Sequence, residues 1–185
     1  MTPMNRPVTA LSAAALLSTA VLAACSGPTD SASGTTSSSA AESRTAATKS
    51  GHTGDTLTLT RADGSTIEVT LERIISPATV TPDKADPAVS YLATQLKIAD
   101  PGSAAIDGDV NINTTVFGSD GRSYAPDLNN VSECTNFDSG IFELDPGESA
   151  TGCVVFALPR GISPTKVRYA PSSGFADDFG EWLLS

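Results

Sequence analysis

The sequence predicts an all-β domain built as an antiparallel sandwich, and three observations carry that expectation. From Gly54 onward, apolar and polar residues alternate with the period of two that a half-buried strand requires. The alternating runs are short and are separated by Gly, Pro, Asp and Asn turns. No run carries the 3.6-residue period of an amphipathic helix. Seven or eight short strands of this kind bury their apolar sides by packing two sheets face to face.

The alternation begins only at residue 54, so the preceding residues need their own account. Residues 1–24 read as a signal peptide, with Arg6 ahead of a mostly apolar stretch that is too short to cross a bilayer. The stretch ends in Leu22-Ala23-Ala24-Cys25, which resembles the lipobox of bacterial lipoproteins. Cysteine is required there because its thiolate is nucleophilic enough to take a diacylglycerol, which the hydroxyl of Ser26 is not. Two acyl chains hold a protein on a membrane stably, where one chain binds reversibly. The expectation is a mature chain lipidated at Cys25 and held on the extracytoplasmic face of the cell membrane.

Residues 25–53 are Ser, Thr, Ala and Gly with almost no large apolar side chain, so they bury too little surface to offset chain entropy. They read as a disordered tether with a reach of roughly 30 Å. His52, the single histidine, falls in this stretch and reads as a passive linker residue.

The domain is expected over residues 54–185. Leu57 and Leu59 alternate with threonines, and Ala62-Asp63-Gly64-Ser65 turns the chain into a second strand. Ile67, Val69, Leu71 and Ile75 are expected on one face of that strand, with Arg73 marking a strand end or a bulge. A Pro-rich connection spans 77–87. Leu92, Thr94, Leu96 and Ile98 line a third strand, and Val110, Ile112, Thr114 and Val116 a fourth. Ser119-Asp120-Gly121-Arg122 makes the next turn, and a long loop spans 127–140.

Phe142 and Leu144 lead into Asp145-Pro146-Gly147-Glu148, whose Pro and Gly suit the centre of a type II turn. The nearly continuous apolar run 153–158 suits a central strand. Val167 and Tyr169 give one more strand before Phe175, Phe179, Trp182, Leu183 and Leu184 close the chain, with Trp182 as a core or edge plug.

The order of these phrases resembles a known family. Gly54-Asp55-Thr56, the Tyr91-Leu92 strand, Ser119-Asp120-Gly121-Arg122-Ser123-Tyr124, Leu144-Asp145-Pro146-Gly147-Glu148-Ser149 and Val155-Phe156-Ala157-Leu158-Pro159 together look like the bacterial immunoglobulin-like lipoprotein domain of unknown function. That domain is related to the immunoprotective extracellular antigens. The resemblance covers the chain from about Gly54 to its end and implies an immunoglobulin-like sandwich with no catalytic residues to carry over.

With Cys25 lipidated, Cys134 and Cys153 remain, and two thiols in an exported domain are the arithmetic of one structural disulfide. A redox-active pair would call for close Cys-x-x-Cys spacing.

Composition excludes several chemistries. The formal net charge is -10 and the basic residues are scattered, so nothing offers nucleic acid a cationic stripe. No histidine follows Gly54, which removes the usual base of a serine or cysteine hydrolase, and no Gly-rich loop with a lysine follows a strand. No catalytic residue, metal ligand or cofactor is therefore expected.

From Gly54 there are 19 acidic against 8 basic residues. Asp107, Asp109, Asn111 and Asn113 have the alternate spacing of oxygen ligands, and Asp177, Asp178 and Glu181 form a second group. The first group lacks the EF-hand glycine, and it reads as the polar side of the fourth strand. The leading expectation is a non-catalytic binding module at the cell envelope. Its candidate surface is the loops 77–87 and 127–140 at one end of the sandwich, or a sheet edge, and its partner an envelope protein or wall polymer. The alternative is a calcium- or carbohydrate-binding accessory domain centred on the acidic positions.

Overall fold

The computed structural model describes residues 47–185 except 83, 175–177 and 185. The residues read as a signal peptide, Cys25, most of those read as a tether, Phe175 and Asp177 lie outside the described residues. The rest is an immunoglobulin-like β-sandwich of two five-stranded sheets.

The first sheet has the order β1-β12-β11-β6-β7, with β1 Thr48–His52, β6 Thr114–Gly118, β7 Ser123–Tyr124, β11 Pro164–Tyr169 and β12 Phe179–Leu183. The second has the order β2-β3-β4-β10-β8, with β2 Thr56–Thr60, β3 Thr66–Ile75, β4 Val89–Ala99, β8 Pro126–Asp127 and β10 Ser149–Pro159. A separate ribbon pairs β5 Ile106–Asp109 with β9 Ile141–Leu144. The strand number exceeds the expected seven or eight because β1, β5 and the two-residue edge pieces β7 and β8 add to the expected strands. Among the described strands, every strand-to-strand pairing is antiparallel except β1 with β12.

β1 lies inside the stretch read as tether. Thr48–His52 carries no large apolar residue, so its composition hides it; the exposed edge of β12 supplies the hydrogen bonds that hold it.

The main core lies between the sheets. Leu59, Val69, Leu96, Ile98 and Phe156 from the second sheet meet Val116, Val167, Tyr169 and Trp182 from the first. Trp182 is fully buried, and its indole Nε1–H donates to the Asp55 carbonyl at 2.9 Å, so its polar tip is satisfied at the sandwich margin.

β3 carries the bulge that Arg73 foreshadows. The register with β4 shifts between Leu71 and Arg73, and beyond it Ile74 packs against the main core while Ile75 turns to the opposite face. Ile75 therefore does not share a face with Ile67, Val69 and Leu71 as the alternation alone implies.

The fourth strand expected over 110–116 is interrupted. Asp109 caps a single helical turn, α1 Val110–Asn113, its Oδ1 accepting from the Asn111 and Ile112 amides at 2.7 and 3.2 Å. The turn reverses the expected facing: Ile112 is 65% exposed and Asn113 is buried. The strand resumes at Thr114, whose hydroxyl donates to the Val110 carbonyl at 2.6 Å.

Candidate functional site

The two loops expected to form a surface do meet, though over a sheet face and not at an end of the sandwich. The 77–87 loop leaves β3 through a cis Ser76–Pro77 bond, and the Ala78 amide donates to the Tyr91 carbonyl of β4. The 127–140 loop leaves β10's edge at β8 and returns to it at Asn136, which bridges Cys153. Between those anchors the loops pair with each other through an antiparallel Val80–Val131 bridge.

Glu133 completes the seam. Its carboxylate oxygens accept from the Thr79 amide at 2.9 and 3.1 Å, and these Thr79 hydrogen bonds hold its pKa below the ordinary range. The Glu133 carbonyl in turn accepts from Arg73 Nη2 at 3.3 Å, so the bulge residue helps to hold the loop.

Beneath the seam lies a second, smaller core of Ala78, Val80, Tyr91, Ala93, Val131 and Val155. These apolar side chains point away from the sandwich interior, so β4 and β10 are covered on both faces. The Cys134–Cys153 disulfide spans 19 residues, with its Cα atoms 6.2 Å apart, and ties the loop to the sheet here. Gly152 on the inner side of the same strand has no side chain because the Phe137 ring occupies the space. A Cβ there would stand 2.6 Å from the ring. The assembled layer is flanked by two cavities, of about 540 Å³ beside Tyr91 and Arg160 and about 470 Å³ between Lys84 and Asn129. Leu128, 86% exposed, stands beside the second.

The first acidic group is dispersed by the fold. Asp107 is exposed on β5, while Asp109 is occupied as the α1 cap. Asn111 packs over Gly140, whose φ of +81° favours glycine and where a Cβ would stand 2.4 Å from the Asn111 amide nitrogen. Asn113 Oδ1 accepts from the Ser173 amide at 3.0 Å, and its Nδ2 donates to the Tyr169 hydroxyl at 3.4 Å. The Asp109 and Asn113 oxygens thus serve backbone amides.

In the second group, Asp177 lies outside the described residues and the other two are paired with cations or amides. Asp178 accepts from the Thr60 and Ala47 amides, and Lys49 Nζ lies 3.4 Å from it. Glu181 holds Lys166 at 2.8 Å and Arg168 at 2.6 Å on one oxygen. Burial pushes both carboxyls up, and these partners outweigh it, leaving both below their usual range. Among the described residues no three Asp, Glu, His or Cys side chains gather as a metal site would require.

His52 lies in β1, not in a free linker. It is exposed, its amide donates to Asp55 Oδ2 at 2.8 Å, and its Nδ1 lies 3.9 Å from the same carboxylate.

A further cavity, of about 230 Å³, opens at the end of the sandwich where β2 leaves its sheet and β11 finishes. Arg61, Asp107, Asp109, Ile112, Phe142 and Tyr169 line it. The helical turns gather around it: α1 packs against the 171–174 turn and against β9, which follows the turn at 138–140. The non-glycine residues with left-handed φ among the described residues sit in these turns, Ser139 at 51°, Ser172 at 49° and Ser173 at 60°. Backbone strain of this kind costs about 1–3 kcal/mol per residue and clusters at functional sites. Neither Arg61 nor Tyr169 stands out in the sequence, because more than a hundred residues separate them and Tyr169 reads as an ordinary core position.

No protein-family model and no curated protein matches the chain. Solved structures do. A secreted protein of Mycobacterium tuberculosis, MPT63, superposes with a TM-score of 0.58 at 20% identity, over 76% of this chain and 100% of that one. The yjhA protein of Bacillus subtilis gives 0.47 at 14% identity, over 71% and 98% of the two chains. An uncharacterized β-sandwich protein of Clostridium difficile 630 gives 0.41 at 13%, over 74% and 95%. At such identities the likeness is one of fold, and by fold the chain is similar to the secreted protein MPT63.

Proposed function

We propose that this protein is a non-catalytic binding module, anchored through lipidated Cys25 on the extracytoplasmic face of the cell membrane, that holds an envelope protein or wall polymer. The observation that carries the reading is the loop layer. Two loops distant in sequence are stitched together, tied down by a disulfide and given their own small core, while Leu128 remains in solvent. An ordered surface loses less conformational entropy on binding than free loops would.

The address is supported by the lipobox-like Leu22-Ala23-Ala24-Cys25, by the resemblance to the immunoglobulin-like lipoprotein domain, and by the fold likeness to a secreted protein. The non-catalytic reading is supported by the residues: the single histidine is exposed beside Asp55, and Asp109, Asp178 and Glu181 are engaged in capping or ion pairs.

The test is crosslinking in native membranes followed by capture, run with wild type, Cys25→Ala and Leu128→Asp. The expected outcome is a membrane-bound wild type, a released Cys25→Ala, and a crosslinked partner that Leu128→Asp loses while staying folded and anchored. A Cys25→Ala protein that remains in the membrane would refute the anchor. Identical crosslinks in Leu128→Asp would refute the loop layer as the binding surface.

A further inference from the structure

We propose that the cavity of about 540 Å³ beside Tyr91 and Arg160 receives the carboxylate end of a partner protein's chain, with the Arg160 guanidinium as counter-ion. This inference rests on the reading of the loop layer as the binding surface and names the chemistry of what binds there.

The unpaired guanidinium is the first observation. Arg160 follows β10, is exposed and lines the cavity. Its amide donates to the Ala88 carbonyl at 3.2 Å and its Nε to the Pro87 carbonyl, so the side chain is pinned across the end of the 77–87 loop. Both Nη groups are left without a hydrogen bond or ion pair among the described residues. The other described arginines are engaged further: Arg61, Arg73 and Arg168 donate from Nη2, and Arg122 lies 3.9 Å from Asp120. From Gly54 there are 19 acidic against 8 basic residues, yet no carboxylate takes this fork. A guanidinium held in place with its fork open fits a planar anion brought from outside.

The loop around Tyr91 is the second observation. The Tyr91 hydroxyl donates to the Lys84 carbonyl at 3.3 Å and accepts from the Asp86 amide at 3.2 Å, and Asp86 Oδ1 accepts from the Ala88 amide at 2.8 Å. These bonds hold residues 84–88 in place, and Pro77, Val80, Pro87 and Tyr91 make the apolar part of the wall. A wall fixed in advance loses little entropy when it is filled. The volume falls within the roughly 300–1,000 Å³ of small-ligand sites, so it takes the end of a chain and not a folded element.

The wall also selects the form of the anion. Asp86 lines the same cavity, and its Oδ2 is unused among the described residues. That charge opposes a phosphate dianion, while its free oxygen can accept from an amide N–H. A chain terminus brings a carboxylate for the fork, an N–H for Asp86 and apolar side chains for the wall. Leu128, 86% exposed beside the second cavity of the layer, is apolar surface that a protein carrying the tail would cover and a free short peptide would not.

The experiment titrates the isotope-labelled full chain in detergent with acetyl-Ala-Ala-Val-Leu, as the free acid and as the C-terminal amide, and follows the Ala88 and Arg160 amide resonances by NMR. We expect the acid to bind with a dissociation constant of about 1 mM and the amide about tenfold more weakly, the loss of one charge-assisted pair. Arg160→Gln should bring the acid down to the level of the amide, and Arg160→Lys, which keeps the charge without the fork, should fall between. Loosening of the loop alone would weaken both peptides together and leave their ratio unchanged, so the ratio carries the test. Arg122→Gln removes the same charge outside the cavity and should leave the ratio as it is. The inference is overturned by equal binding of acid and amide, by no saturable shift with either, or by a ratio that survives in Arg160→Gln or collapses in Arg122→Gln. Tighter binding of acetyl-Lys-D-Ala-D-Ala than of the acid would overturn the protein tail in favour of a wall peptide. A crosslinked partner lost in Leu128→Asp together with equal acid and amide binding would overturn this inference and leave the loop layer standing as the binding surface.

Discussion

The two sheets meet across one core but treat their outer faces in opposite ways. On the second sheet, β4 and β10 are buried on both sides: Tyr91 to Thr94 and Gly152 to Phe156 are continuous buried runs, because the loop layer and its disulfide cover the outer face. On the first sheet, β11 and β12 alternate, and the outer face stays in partial contact with solvent. There Lys166 lies 4.4 Å from the Phe117 ring centre, and Arg168 sits over Phe117 and Phe179 at 4.9 and 4.7 Å, with Glu181 between the two cations. One sheet solves its outward face with a second apolar layer, the other with long amphipathic side chains lying over aromatic rings. Continuous apolar strands thus signal covering material elsewhere in the chain, while alternating ones signal water.

The strongest way to break this contrast is the same substitution on both outward faces. Val155→Asp puts a charge into the second core and should cost at least about 3 kcal/mol in urea unfolding. Thr115→Asp, outward on β6 and opposite Arg168, should stay within about 0.5 kcal/mol. Equal losses would mean the loop layer is not a packed layer at all.

Removing the tether of that layer comes next in size. Cys134→Ser with Cys153→Ala should lower stability by about 3 kcal/mol, the entropy of a loop of that length. Hydrogen exchange should rise over 127–137 while β11 and β12 keep their protection. Exchange rising equally in both sheets would show the bond serving the whole fold and not one face.

Beneath the open sheet, Tyr169 makes stability depend on alkali. Its folded pKa of about 12 lies above the unfolded value of 10.0, so its contribution is complete below pH 10 and is lost as pH rises toward 12. The loss is about 2–3 kcal/mol over that window. Tyr169→Phe should start less stable and lack this limb; an unchanged alkaline limb would place its origin elsewhere.

The smallest effect belongs to the open face itself. Glu181→Gln leaves Lys166 and Arg168 without their shared carboxylate and should cost about 1 kcal/mol, discounted for partial exposure. The depressed Glu181 pKa stabilises the fold above the ordinary glutamate value of 4.5 and ceases to do so as pH falls below it. Wild type should therefore lose more stability than Glu181→Gln between about pH 4.5 and 3. Parallel acid profiles would show that the cations are held by the rings alone.

Much of this was legible locally. Alternation predicted the all-β class, the unbroken run 153–158 predicted a central strand, and the count of thiols predicted the Cys134–Cys153 bond. Arg73 flagged the bulge because a cation in an apolar row has to leave it. Strand period and turn chemistry are properties of neighbouring residues, and the sulfur count needs composition alone.

The rest depended on which distant segments meet. Thr48–His52 is a strand only because β12 offers an edge, and residues 110–113 coil into a turn because Asp109 captures two amides and Asn113 finds Ser173 and Tyr169. The loops 77–87 and 127–140 form one surface because Val80, Val131 and Glu133 bridge them, and the end cavity exists because Arg61 is brought to Tyr169. Sequence by itself determined the class and the central strand, which follow from local geometry, and the covalent link, which follows from the count of thiols. Tertiary structure alone decided which faces are covered and where cavities open, because burial is a property of the assembled chain and not of any segment within it.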